Sequence, residues 1–208
     1  MAGTYHLLMI CGSLRAGSTN AALLRTAQAV APDSLVADVY GGMGGLPQFN
    51  PDDDREPALP AVADLRARIS AADAVVFCTP EYAGGLPGSL KNLLDWTVGS
   101  GELYRKHAAW INVSTTTGAV HAHASLRTVL GYVGADLIEQ ACTHRPVPRH
   151  AIGPDGMIRD PEIRADVLDV LNALARRLDG TDKPTGVRDP LDPPDSGPSP
   201  NGPSPNGP

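Results

Sequence analysis

Strand-length apolar runs alternate with segments of helical period from residue 5 to residue 178, and this alternation constrains the fold of the chain more than any single motif. Tyr5 to Cys11 has the length of a buried strand and meets a Gly/Ser-rich turn at once. Leu23, Leu24, Ala27 and Val30 then recur at helical spacing behind Asn20, a candidate N-cap, and Pro32 ends the segment. Leu35 to Tyr40 reads as a second strand, and Gly41 to Pro60 as a long surface loop. Val62, Leu65, Ile69 and Ala72 form one helix face before Ala74 to Cys78, the strongest central strand. Leu90, Leu93, Leu94 and Thr97 mark the next helix, Trp110 to Val113 a fourth strand, Ala122 to Val133 a helix and Leu137 to Cys142 a short fifth strand. Pro161 to Leu178 closes the series, with Asp160 as cap and Pro161 at the first helical position. Five strands joined by helical crossovers imply an α/β protein with a parallel, doubly wound sheet.

The tail breaks the pattern. From Asp189 to Pro208, eight of twenty residues are Pro, and Gly-Pro-Ser-Pro-Asn occurs at 197–201 and again at 202–206. A segment this poor in apolar side chains cannot offset its ordering entropy, so the expected organisation is one domain over 1–183 and a disordered or polyproline-like tail over 184–208. The net charge of −6, from 17 basic and 23 acidic residues spread along the chain, supplies no basic stripe for nucleic acid. The first apolar run is too short for a signal or membrane segment, so the expected compartment is the cytoplasm. Cys11, Cys78 and Cys142 form no C-x-x-C pair and read as neither a disulfide framework nor a metal site. Asn112-Val113-Ser114 fits a glycosylation pattern but falls in an expected buried strand, which removes its meaning.

Ligands of open α/β sheets bind beyond the carboxyl ends of the strands, so the loops after the first, third and fourth strands matter most. The first, Gly12-Ser13-Leu14-Arg15-Ala16-Gly17-Ser18-Thr19-Asn20, joins glycines, hydroxyls, an amide and an Arg to a helix N-terminus. Free backbone N–H groups and the positive end of the helix suit a phosphate there. The loop has neither G-x-G-x-x-G nor a G-K-[ST] ending, which points to a terminal monophosphate rather than a pyrophosphate or a nucleoside triphosphate. An ordinary βα turn with a hydroxyl cap is the plain reading of this loop taken alone.

The third strand continues into Thr79-Pro80-Glu81-Tyr82 and then Leu86-Pro87-Gly88-Ser89-Leu90-Lys91-Asn92-Leu93-Leu94-Asp95-Trp96. With G-S-L-R-x-G-S-x-N in the first loop, T-P-E-Y and L-P-G-x-L-K-N-x-x-D-W, the chain resembles the NADPH-dependent FMN reductase family, the flavodoxin-like group that includes quinone, azo-dye and chromate reductases. The resemblance implies a flavodoxin-like three-layer sandwich with a five-stranded parallel sheet of order 2-1-3-4-5. It also implies that Ser13, Arg15, Ser18 and Asn20 hold the FMN phosphate, that Pro80, Glu81, Tyr82, Ala83 and Gly84 line the isoalloxazine ring, and that Ser114, Thr115 and Gly118 form a third flavin-contacting loop. The implied activity is ping-pong transfer from NADPH, or NADH, to FMN and then to a small acceptor such as a flavin, a quinone or an azo compound, in a homodimer. Because the flavin carries that chemistry, no side chain is expected to be catalytic and no metal is expected. The chain departs from the family pattern twice: Ala83 stands where Asn usually follows P-E-Y, and the usual Gly-Gly of the third loop is replaced near Ala119-Val120-His121.

Other residues look chemical and have plainer readings. Asp52-Asp53-Asp54 lacks the spacing or the His of a metal site and reads as a solvated loop. His121 and His123, two apart on a helix, point in different directions. Cys11 and Cys78 end strands that are neighbours in a 2-1-3-4-5 sheet, where buried small hydrophobes are the simpler reading than a redox pair. Two other functions use the same fold: a flavodoxin-type electron carrier without nicotinamide activity, and a binding protein that has lost FMN.

Overall fold

The computed structural model of the protein describes residues 3–181. The proposed tail, 184–208, lies outside them. A parallel sheet runs in the order β2 (Leu35–Tyr40), β1 (Tyr5–Cys11), β3 (Ala74–Cys78), β4 (His107–Asn112), β5 (Asp136–Leu137), with β6 (Thr143–His144) also paired to β4. This is the flavodoxin-like order expected from the sequence.

Alternation along the strands separates the two faces. Leu7 and Met9 of β1, with Val76 and Cys78 of β3, pack under α1 (Thr19–Val30) and α5 (Pro161–Leu178). Leu8, Ile10, Val75 and Phe77 face α2 (Pro60–Ala71), α3 (Gly88–Asp95) and α4 (Val120–Tyr132). Helix α5 shows why these residues form these elements. Asp160 accepts from the N–H groups of Glu162 and Ile163, Pro161 opens the first turn, and Ile163, Val167, Leu171 and Leu174 recur on one buried face. Burying each such side chain contributes about 1.5–3 kcal/mol, which is what holds an 18-residue helix on the sheet.

Three expected boundaries move. The cap of α1 is Ser18, whose Oγ accepts from Ala21 N–H at 3.1 Å, while Asn20 is inside the helix. β4 begins at His107 rather than Trp110, because His107, Ala108 and Ala109 pair with Ala74, Val75 and Val76 although they carry no strand signal of their own. The expected strand Leu137 to Cys142 is split. β5 pairs for two residues, the chain leaves through a 3-10 turn at Glu139–Ala141, and β6 rejoins β4 beside Ile111 and Asn112. Glu139 turns outward to form a two-pronged ion pair with Arg127, which a continued strand would not permit.

Candidate functional site

The carboxyl ends of β1, β3 and β4 lie side by side, so their three loops share one edge of the sheet. Gly12 brings the first two loops into contact. Its N–H donates to Cys78 O at 2.9 Å, and a Cβ built there would fall 2.1 Å from Thr79 Oγ1, so only Gly fits.

In the first loop, Arg15 N–H donates to Ser13 Oγ at 3.3 Å and Ser18 N–H to Arg15 O at 3.2 Å, which curls the segment over the start of α1. Gly17 (φ +67°) makes that curl possible. The N–H groups of Thr19 and Asn20 have no acceptor among the described residues, and they point from the positive end of α1. Ser13, Ser18 and Asn20 are buried around them, and Arg15 is exposed at the rim. Ser18 already accepts from Ala21 but keeps its own proton to donate, and Asn20 Oδ1 accepts from Cys78 Sγ at 3.3 Å, which leaves the amide N–H₂ as the donor. This donor-rich, acid-free set fits a phosphate.

The second loop is a tight two-residue hairpin. Tyr82 N–H donates to Gly85 O at 3.1 Å and Gly85 N–H to Tyr82 O at 3.0 Å, with Ala83 (φ +49°) and Gly84 (φ +73°) at the corner, the pattern of a type I′ turn. Tyr82 is 52% exposed at its rim. The Glu81 carboxylate does not lie along this loop. It reaches α4, where Oε2 accepts the N–H groups of His121 at 2.8 Å and Ala122 at 3.0 Å.

The third loop is organised by Asn112, which the sequence alone did not mark as a site residue. Its amide donates to Gly118 O, its Oδ1 accepts Ser114 N–H at 3.0 Å, and it is buried. An Asn between an apolar strand and a hydroxyl-rich turn is the signal that could have found it. Ser114 and Gly118 are half-buried and Thr115 is exposed. The loop enters α4 through Ala119, which caps the helix in the left-handed region (φ +46°) without a side-chain hydrogen bond. His123 Nδ1 lies 2.9 Å from Ala119 O. Burial lowers the His123 pKa against the pull of that carbonyl, and because a carbonyl can only accept, Nδ1 carries the proton donated to Ala119. His121 is exposed and His123 buried, as their spacing implies. Thus Ala83 and Ala119, at or beside the two departures from the family pattern, both occupy conformations that favour Gly or Asn.

The cysteines and acidic residues fall as follows. Cys11 and Cys78 are register partners on β1 and β3, and burial raises the Cys78 thiol well above its ordinary value. Burial also pushes Cys142 up to about 11. Asp54 pairs with Arg66 at 2.6 Å, Asp52 and Asp53 lie in a 3-10 turn capped by Asn50, and no cluster suited to a metal ion exists among the described residues. Nor, among these residues, is any helix long and apolar enough to cross a membrane.

Comparison with known proteins identifies the family. The family model described as NADPH-dependent FMN reductase matches residues 5–143. A probable NADPH:quinone oxidoreductase of Oryza sativa subsp. japonica is 34% identical over 184 residues, covering 82% of this chain and 89% of the relative. An NAD(P)H-dependent FMN reductase of Pseudomonas aeruginosa is 32% identical over 186 residues, covering 86% and 100%. Among solved structures, the flavoenzyme NAD(P)H:(acceptor) oxidoreductase FerB of Paracoccus denitrificans superposes with a TM-score of 0.76 at 29% identity, covering 85% of this chain and 98% of that one.

Proposed function

The chain is an oxidoreductase of the NADPH-dependent FMN reductase family, and from that premise we propose that it binds FMN across the three loops, is reduced by a nicotinamide dinucleotide and passes two electrons to a small acceptor. The observation that carries the reading is the first loop: two helix-terminal N–H groups without acceptors, ringed by Ser13, Ser18 and Asn20 with Arg15 at the rim. These four residues hold the phosphate. Pro80, Glu81, Tyr82, Ala83 and Gly84 line the ring, Glu81 through its backbone, and Ser114, Thr115 and Gly118 close the third side. FMN supplies hydride acceptance and release when bound. The chain's own part is to orient the two reactants in turn on one exposed face, with backbone N–H groups turned toward the polar edge where negative charge develops. One face serving both partners gives ping-pong kinetics. NADPH is the expected reductant and NADH the alternative. The acceptor is a flavin, a quinone or an azo compound.

The same reading makes residues 1–183 the flavin domain and the working unit a cytoplasmic homodimer, since a flavin face on a lone protomer is poorly shielded. The test is an anaerobic spectrum of the FMN-loaded protein before and after stoichiometric NADPH or NADH. Rapid bleaching supports the reductase. Bound FMN reduced by dithionite but by neither nicotinamide would make the chain a flavodoxin-type carrier, and no binding of FMN would overturn the assignment.

A further inference from the structure

Helix α4 begins with a defect. Its cap, Ala119, has no side chain to satisfy the first N–H groups and is held in a left-handed conformation by Thr117 Oγ1, which accepts its N–H at 3.2 Å, and by His123, which donates to its carbonyl. The missing cap comes from 38 residues earlier, as the Glu81 carboxylate receives the His121 and Ala122 N–H groups on one oxygen. Glu81 belongs to the loop after β3, and these two amides belong to the helix entered from the loop after β4. The contact is therefore the side-chain tie between the second and third walls of the site. A carboxylate at the positive end of a helix is held more firmly than a neutral acceptor, and it occupies N–H groups that would otherwise face water.

We propose that Glu81 is a positioning residue, a clasp that fixes the third loop against the second and so sets the wall on which the nicotinamide and the acceptor stack. The proposal rests on the reading of this edge as a flavin site. Without the clasp, the strained Ala119 corner relaxes, and each incoming partner must order the loop as it binds. That cost falls on binding more than on turnover.

The test compares Glu81→Ala with Glu81→Gln in the FMN-loaded full chain, using NADPH and a benzoquinone, together with amide hydrogen exchange. Glu81→Ala raises the KM for both substrates about tenfold while kcat changes less than about threefold, and exchange at His121 and Ala122 accelerates at least about tenfold. Glu81→Gln, whose amide oxygen still accepts both N–H groups but lacks the charge, shows a smaller rise in KM and a smaller acceleration of exchange than Glu81→Ala. Unchanged KM and exchange in Glu81→Ala would overturn the proposal, as would Glu81→Gln as impaired as Glu81→Ala, which would place the effect in the charge rather than the clasp. If wild type itself fails to oxidise NADPH, the flavin reading fails, and the exchange comparison still decides whether the clasp exists.

Discussion

Asn92 and Trp96 donate to the same acceptor, the carbonyl of Pro47, from 2.8 and 2.9 Å. Asn92 Oδ1 also accepts Phe49 N–H at 2.7 Å, and Phe49 meets the Trp96 ring edge-on at 5.0 Å. The most distinctive part of the L-P-G-x-L-K-N-x-x-D-W motif thus pins the 46–49 segment to α3, and Arg66 continues the same anchoring by donating to Trp96 O at 2.8 Å. Asn92→Ala leaves the half-buried Phe49 N–H and part of the Pro47 carbonyl unsatisfied and should lower stability by about 1–3 kcal/mol, measured by urea unfolding. A change below about 0.5 kcal/mol would mean that the segment is not held there.

The two left-handed alanines should be sites of stabilising substitution. Ala83→Asn and Ala119→Gly each place a tolerant residue at positive φ and should raise stability by about 1 kcal/mol, or about 2–4 °C in Tm for a chain of this size. Lower melting temperatures would show that neither corner is strained.

His123 gives stability a pH dependence whose sign follows from its environment. The folded ring has a pKa below 6.5 because it is buried, so below 6.5 the unfolded chain binds more protons and stability falls as the pH drops toward the folded value. His123→Asn, whose amide can replace the bond from Nδ1 to Ala119, should flatten the slope of unfolding free energy against pH in that acidic window. An unchanged slope would assign the dependence to other groups.

Thiol labelling separates the three cysteines. Cys142 is only partly accessible and pushed up to about 11, and Cys78 is buried with its thiol raised well above its ordinary value, so iodoacetamide at pH 8 should modify Cys11 first, seen as one adduct by mass spectrometry. Cys11 Sγ lies 3.9 Å from Ser18 Oγ, at the floor of the first loop. Bound FMN should therefore slow the labelling, and equal rates with and without FMN would count against a phosphate in that loop.

Much of this architecture was legible because buried parallel strands announce themselves. Tyr5–Cys11, Leu35–Tyr40 and Ala74–Cys78 are continuous or alternating apolar runs bounded by turn residues, and their limits coincide with the observed strands. β4 was harder, since His107-Ala108-Ala109 owes its strand conformation to pairing with β3 rather than to its own preferences. The same holds for β5 and β6, two residues each, which no periodicity can reveal. In the site, the loops could be located from their positions after strands. The destination of the Glu81 side chain and the part played by Asn112 could not, because one contact spans 40 residues and the other depends on how the chain folds back.

The pairing of β6 with β4 sets a lower limit on what can fold. Arg145 N–H closes on Asn112 O at 2.8 Å and Val147 N–H on Val113 O at 3.1 Å, while the family signature ends at 143. A fragment cut at the end of that signature would retain every motif yet expose the open flank of β4, the strand from which the third loop departs, and would lose all of α5 from the opposite face. What identifies this protein is shorter than what builds it, and the last forty or so described residues complete the sheet edge that carries the three loops, to which they contribute no recognisable motif.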